Sequence, residues 1–140
     1  MKGDPTIMAT LAALIRNGDF VLTAELNPPK SASAQVVRRR AGVLKGFVDA
    51  VNVTDSNRAV VAMAALPAAL LVREDGLEPI VEMTGRDRNR IAVQAELPGA
   101  AALGLPNDLF MSGDDPDAGD RPEAVPVTAS RGTRLVRHDE

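Results

Sequence analysis

The chain has 140 residues, a formal net charge of −3 and 25% charged residues, which fits a single domain with its own core and gives no sign of a nucleic-acid partner. It has no cysteine and one histidine, His138, so we predict no disulfide, no histidine triad and no metal site. No apolar stretch approaches the roughly 20 residues of a membrane span, and no signal-peptide pattern is present. We therefore expect a cytoplasmic protein without a membrane partner.

Helices and strands are predicted to alternate along the chain. In chain order the pattern gives a helix at 5–17, a strand at 20–26, a helix at 32–45, a strand at 50–54, a helix at 67–75, a strand at 79–84, a helix at 90–103 and a strand at 108–112. Glycines close the helices, while Asp4-Pro5 and Asn89 start the first and the last of them. Pro98 is expected to interrupt the last helix.

The regular spacing of the strands is the most informative feature of this pattern. Four short apolar runs recur about every 30 residues, with a helical segment between each pair. Such a repeat predicts an α/β fold with parallel strands, whose carboxyl ends all lie at one edge of the sheet. Active sites of αβ barrels occur at that edge. A small open αβ sheet without a site would show the same repeat, so the repeat alone leaves both interpretations open.

The chain is predicted to divide into two parts near residue 115. Residues 1–115 contain all four strands and form the predicted βα domain, which has about half the length of a closed barrel. Residues 116–140 contain prolines and many charges but few apolar residues, and those show no period. We expect this second part to be a polar, disordered tail.

Polar residues at the strand ends are the candidates for chemistry. Glu25 lies near the end of the first strand, where burial would raise the pKa of its carboxyl group and suit it to act as a general acid. A charge on an outward, edge-strand face fits the same position equally well. Thr54-Asp55 and Gly113-Asp114 follow the second and fourth strands, and the glycine would let the backbone approach a ligand. The charged segment 86–90 is either a salt-bridged loop or a grip on a ligand.

Four of the strand-end segments read AELNPPK at 24–30, VNVTD at 51–55, MTGRDRNR at 83–90 and GDDP at 113–116. Together they resemble successive motifs of the methylenetetrahydrofolate reductase family, in the same order and at similar spacing. The resemblance covers residues 20–127. It is specific because four motifs agree at four consecutive strand ends, whereas any one of them alone is a weak signal.

The resemblance implies the fold and the reaction of that family. The fold would be a truncated (β/α)8 TIM barrel, with about four βα units, an N-terminal helix and a polar C-terminal tail. The implied reaction is the reduction of 5,10-methylenetetrahydrofolate to 5-methyltetrahydrofolate, with FAD as the cofactor and NADH or NADPH as the hydride donor. The flavin would carry the hydride, and the protein would supply position and one proton.

The resemblance also gives roles to individual residues. Glu25 resembles the general acid of the family, and Asp114 resembles the aspartate that lies near the flavin and the pterin. These two are the predicted catalytic residues. The predicted cofactor contacts are Thr54, Asp55, Glu82, Thr84, Ser112, Gly113 and Asp114.

Other outcomes stay open because a truncated barrel would lack four strands. The chain could be a non-catalytic half-barrel that binds flavin or folate weakly, or a relic that no longer folds. It could also form a homo-oligomer or bind a partner chain that completes the barrel, since open edge strands favour association. With half of the cofactor contacts missing, the Kd for FAD is expected to be at least about a hundredfold higher than that of a complete barrel.

Overall fold

The computed structural model describes residues 10–127, in which four parallel strands alternate with α-helices. The strands hydrogen-bond in the order β1-β2-β3-β4, so each strand pairs with its sequence neighbour, as in consecutive units of an αβ barrel. The predicted α/β fold with parallel strands is confirmed. The elements in chain order are α1 (Leu11–Asn17), β1 (Thr23–Leu26), α2 (Ala34–Leu44), β2 (Ala50–Val53), α3 (Ala65–Glu74), β3 (Pro79–Thr84), α4 (Arg90–Ala102) and β4 (Asp108–Met111).

One face of the sheet packs against the helices and forms the core. Alternate residues of β1, β2 and β3 point to this side, because successive side chains of a strand face opposite ways. Burial of each large aliphatic side chain contributes about 1.5–3 kcal/mol, so this face holds the fold together. The strand residues are Leu26, Val51, Val53, Val81 and Met83, and the helix residues packed on them include Val37, Ala41, Ala65, Ala68, Ala69, Val72 and Ala100.

The opposite face of the sheet carries three polar side chains next to two apolar ones. We call it the open face and define it by Glu25, Asn52, Ile80, Glu82 and Leu109. Register places Glu25 beside Asn52 and Asn52 beside Ile80, while Glu82 lies beside Leu109. In a closed barrel the face that points away from the helices lines the interior.

The first strand is shorter than the sequence predicted. Residues 20–22 precede β1, and Phe20 is 90% exposed. The reason is the register, which pairs Thr23 with Ala50, the first residue of β2. Residues before Thr23 therefore have no partner residue in β2 with which to form a ladder.

Two helices also differ from their predicted bounds. The described part of the first helix starts at Leu11, because Thr10 is extended and its hydroxyl caps the N–H of Ala13 at 3.3 Å; the predicted start at Asp4-Pro5 lies outside the described residues. The predicted interruption at Pro98 is wrong, since α4 continues through it to Ala102. A proline removes only one hydrogen bond from the helix, and buried residues on both sides of it, Val93 and Ala100, anchor the two halves.

Candidate active site

The carboxyl ends of the four strands lie at one edge of the sheet, and a buried polar cluster occupies the centre of that edge. Asp55 lies directly after β2, with a side chain that is 4% exposed. Its Oδ2 accepts hydrogen bonds from the Thr84 N–H at 2.8 Å and the Thr84 hydroxyl at 3.1 Å. Arg88 binds both oxygens of the same carboxylate and reaches Glu96 on α4 through Nε at 3.0 Å. A buried carboxylate needs such pairing, so the cluster ties the ends of β2 and β3 to α4.

A second ion pair lies beside this cluster. The guanidinium of Arg86, 5% exposed, donates to Asp87 through Nε at 2.8 Å and Nη2 at 2.6 Å. It also donates to the carbonyl oxygen of Asp114 at 3.3 Å. The hydrogen bond from Arg86 holds the pKa of Asp87 below its ordinary value. The segment 86–90 is therefore a salt-bridged loop, one of its two interpretations from sequence.

Glu25 lies on the open face of β1 and is exposed to solvent. Its Oε1 accepts a hydrogen bond from Nδ2 of Asn57 at 3.2 Å. The same Asn57 nitrogen donates to Oδ1 of Asn27 at 3.4 Å, and the Thr54 hydroxyl donates to that oxygen at 2.9 Å. Of the two sequence interpretations of Glu25, the exposed edge-strand position is the one found. The side chain is exposed because no described strand covers the outer edge of β1.

Asp114 follows β4 and is also exposed, as is Ser112. Its Oδ2 accepts the backbone N–H of Arg58 at 2.9 Å, which links the end of β4 to the loop after β2. Gly113 has a φ of 82°, and a Cβ at this position would lie 3.1 Å from Cβ of Thr84 and 3.2 Å from Cβ of Arg86. The glycine is therefore required because the backbone passes close to the end of β3. The sequence interpretation had explained it by a close approach of the backbone to a ligand.

The loop after β2 has a strained backbone. Ser56, Arg58 and Ala59 have φ angles of 50°, 57° and 55°, in the left-handed region that costs non-glycine residues energy. Asp114 holds the Arg58 N–H, and Gly119 packs so closely that a Cβ there would lie 1.9 Å from the carbonyl oxygen of Ala59. Strain of this kind is found at functional sites and persists only where surrounding contacts fix it.

Residues 115–127, predicted to belong largely to a disordered tail, lie across these loops. Asp120 accepts the N–H of Val61 at 2.9 Å and pairs with Nζ of Lys30 at 3.2 Å. At the end of the described chain, the N–H of Val127 donates to the carbonyl oxygen of Arg86 at 2.7 Å. The segment therefore contacts the loops after β1, β2 and β3. The division of the chain near residue 115 stays a prediction.

A cavity of about 380 Å³ opens between the loops after β1 and β2. Two cationic side chains and several amide or hydroxyl groups line it, which gives it hydrogen-bond donors and positive charge. Its volume lies at the lower end of the roughly 300–1,000 Å³ that small-molecule sites occupy. The polar lining residues are Asn27, Lys30, Thr54, Asn57 and Arg58.

Glu82 lies on the open face of β3 and is 8% exposed. Its Oε1 accepts one long hydrogen bond, 3.4 Å from Nδ2 of Asn52. Burial raises the pKa of the Glu82 carboxyl above its ordinary value, and the charges of Glu25 and Asp55 add to that shift, while the Asn52 hydrogen bond opposes it. Glu82, and not Glu25, is therefore the buried acid of the open face.

The family model described as methylenetetrahydrofolate reductase matches residues 10–138. The chain belongs to this family. The match extends beyond both ends of the resemblance at 20–127. A search of the curated proteins finds no match to the chain. The methylenetetrahydrofolate reductase fold is a TIM barrel, and the four parallel βα units of residues 10–127 are consistent with half of such a barrel.

The sequence reasoning gave no separate role to three asparagines that the structure brings into the site. Asn27 and Asn57 connect Glu25 to Thr54, and Asn52 connects Glu82 to the neighbouring strand. A signal for Asn52 was present, because it is the one polar residue of Ala50–Val53. It alternates with buried valines, which indicates a side chain on the face opposite the helices.

The predicted site residues of this methylenetetrahydrofolate reductase-family chain fall into two groups. Asp55, Thr84, Glu82 and Thr54 are buried, and the first two bond to each other. The exposed group at the same edge is Glu25, Ser112, Gly113 and Asp114. Among residues 10–127, no helix is long and apolar enough to cross a membrane, and no three potential metal ligands converge.

Proposed function

We propose that this chain takes part in the flavin-dependent reduction of 5,10-methylenetetrahydrofolate to 5-methyltetrahydrofolate, with NADH or NADPH as the hydride donor. The family match carries the proposal. It is supported by the contrast between Glu25 and Asp114, which are exposed at the strand edge, and Asp55 and Asp87, which are paired with arginines. The two carboxylates without an ion pair are the ones available to a substrate.

The residues of the strand edge fit part of an FAD molecule. Exposed Ser112 and Asp114 offer polar atoms beside β4. In the cavity between the β1 and β2 loops, Arg58 is the cation for negatively charged groups, because Lys30 is paired with Asp120. When bound, FAD supplies the hydride chemistry that no side chain can perform. Buried Asp55 would act by holding Thr84 and Arg88 in place rather than by direct contact.

Glu25 is the group proposed to supply the proton. The amide of Asn57 donates to its Oε1 at 3.2 Å, and within residues 10–127 no donor reaches its other oxygen. That oxygen can carry a proton and donate it to a ring nitrogen of the folate. Protonation there helps to open the ring to an electrophilic iminium, a step of general acid catalysis.

Asp114 is proposed to place a negative charge near that iminium. Its carboxylate is fixed through Oδ2 by the Arg58 N–H at 2.9 Å, and the strained loop holds this N–H in position. A charge fixed before the reaction stabilises a developing cation without reorganisation. The carboxylate therefore favours the iminium over the closed ring.

Glu25→Gln separates the two half-reactions. The amide keeps size and most hydrogen bonding but cannot donate the acid proton. Flavin reduction by NADH or NADPH should remain within a few-fold, while the folate half-reaction falls by about 100-fold or more, the usual span for a lost general acid. Stopped-flow absorbance of the flavin measures both.

Glu123→Gln is the matched control, because Glu123 is exposed and makes no hydrogen bond among residues 10–127. Equal losses in both half-reactions of Glu25→Gln would mean that Glu25 only maintains the flavin site. An unchanged folate half-reaction would remove Glu25 from the mechanism.

A non-catalytic module is the second candidate, favoured by the two edges of the described sheet. Within residues 10–127, β1 and β4 each pair on one side only, and such edges favour association. Light scattering is expected to show a dimer or larger species, and titration is expected to show weak FAD binding. A monomer with sharp unfolding contradicts the first expectation. Stoichiometric, tightly held FAD contradicts the second and favours the enzyme.

A further inference from the structure

Two carboxyl groups share the open face with one asparagine between them. Register places Glu25 of β1 beside Asn52 of β2, and Nδ2 of Asn52 donates to Oε1 of Glu82 on β3 at 3.4 Å. The three side chains therefore form a row across three adjacent strands. Glu25 is exposed and Glu82 is 8% exposed, so water stabilises a charge on the first far better than on the second.

We propose that Glu25 and Glu82 act as a coupled pair in which Glu82 stores the proton and serves as a positioning residue for Glu25. The inference rests on the proposed function of Glu25 as the general acid. It gives Glu82 a role different from a cofactor contact. Glu82 holds a proton and passes it to the Glu25 carboxylate after Glu25 has donated its own proton to the substrate, and ionised Glu82 then takes up a proton from water.

The surroundings of Glu82 favour its neutral form. Glu25 faces it from β1 and Asp55 from the loop after β2, and both charges oppose ionisation of Glu82. Arg88 is engaged by Asp55 and Glu96, and so does not act as the counterion of Glu82. On β4 the register partner is apolar Leu109. Asn52 is the only described group that donates a hydrogen bond to the carboxyl.

The coupling has a direct physical consequence. The negative charge of Glu25 is one of the causes, after burial, that raise the pKa of the Glu82 carboxyl. Burial makes Glu82 the group that keeps its proton longer. Removing the charge of Glu25 must therefore make Glu82 easier to ionise.

Carbon-13 NMR of side-chain carboxyls titrates the pair without substrate or cofactor. Glu82→Gln assigns the Glu82 resonance by its loss. Glu82 is expected to titrate above the ordinary range of a glutamate side chain, because burial raises its pKa. Glu25→Gln is expected to move that step to lower pH. A Glu82 that titrates in the ordinary glutamate range, or one whose titration Glu25→Gln leaves unmoved, overturns the proposal whether or not the chain reduces folate.

Unfolding of Glu82→Gln against pH is a second measurement. A carboxyl whose pKa is raised by folding contributes stability that is fully present below its unfolded pKa and is lost as pH rises through its folded pKa. The wild type should therefore lose stability relative to Glu82→Gln over that interval, whereas Glu123→Gln should follow the wild type. Parallel curves for wild type and Glu82→Gln contradict the stored proton.

In the loaded enzyme, the pH profile distinguishes proton storage from a purely structural role. Glu82→Gln should retain the folate half-reaction at low pH and lose it at lower pH than the wild type does. A uniform loss at every pH would show that Glu82 only shapes the site.

Discussion

The carboxyl edge of the sheet has a centre and two sides that use carboxylates in opposite ways. At the centre, Asp55 and Asp87 are each paired with an arginine. At the sides, Glu25 and Asp114 are exposed and form no ion pair within residues 10–127. The comparison teaches which acids hold the structure and which are available for chemistry, because a carboxylate saturated by protein donors has little capacity left for a ligand.

The two groups are also mechanically connected. Arg86 of the centre donates to the carbonyl oxygen of Asp114 at 3.3 Å, and Gly113 packs against Thr84 and Arg86. These contacts hold the end of β4, from which the Asp114 side chain projects. This is the arrangement that a precise site needs, in which a packed shell supports a few available groups.

Arg88→Met tests the centre and should have the largest effect. It leaves the Asp55 carboxylate buried without its counterion, so unfolding in urea should show a loss of about 3 kcal/mol or more. Arg39→Met is the matched control, since Arg39 is exposed, and should stay within about 0.5 kcal/mol of the wild type. Asp55→Asn in the Arg88→Met background should recover part of the loss. Equal stability of Arg88→Met and Arg39→Met would show that the ion pair of Asp55 does not hold the structure together.

Gly113→Ala tests the connection between the centre and Asp114. An alanine with a φ near 82° is strained, and its Cβ would crowd Thr84 and Arg86, so we expect a loss of about 1–3 kcal/mol. Gly42→Ala in α2 has the opposite expectation, since nothing lies within 4 Å of the added Cβ; it should stabilise by about 0.5–1 kcal/mol. Thermal unfolding of both variants is the measurement. A Gly113→Ala variant as stable as the wild type would show that Gly113 does not pack tightly against Thr84 and Arg86.

Glu25→Gln and Asp114→Asn test the sides and should have the smallest effect on stability. Both residues are exposed, and each amide keeps an oxygen that can accept the existing hydrogen bond. The free energy of unfolding should change by less than about 0.5 kcal/mol. A large loss in either variant would place that residue with the structural group, and its effect on activity would then need no catalytic explanation.

The sequence by itself determined the α/β fold, the parallel order and the position of most elements. Apolar runs such as Pro79–Thr84 end in polar turns at regular spacing, and period and composition are local properties that a chain shows directly. Sequence reasoning was less successful at the start of β1 and at Pro98 inside α4. The start of β1 depends on its register with β2, and the continuity of α4 depends on the packing of Val93 and Ala100, which are contacts between distant residues.

Only the tertiary structure decided how the strand-end acids differ. Glu25, Asp55, Glu82 and Asp114 are alike in sequence, since each lies in or after an apolar strand. Their exposure depends on where each strand stands in the sheet, and their charge depends on arginines and amides from other loops. The free energy of a carboxylate is set by the solvent and the donors around it. Those surroundings exist only once the chain has folded.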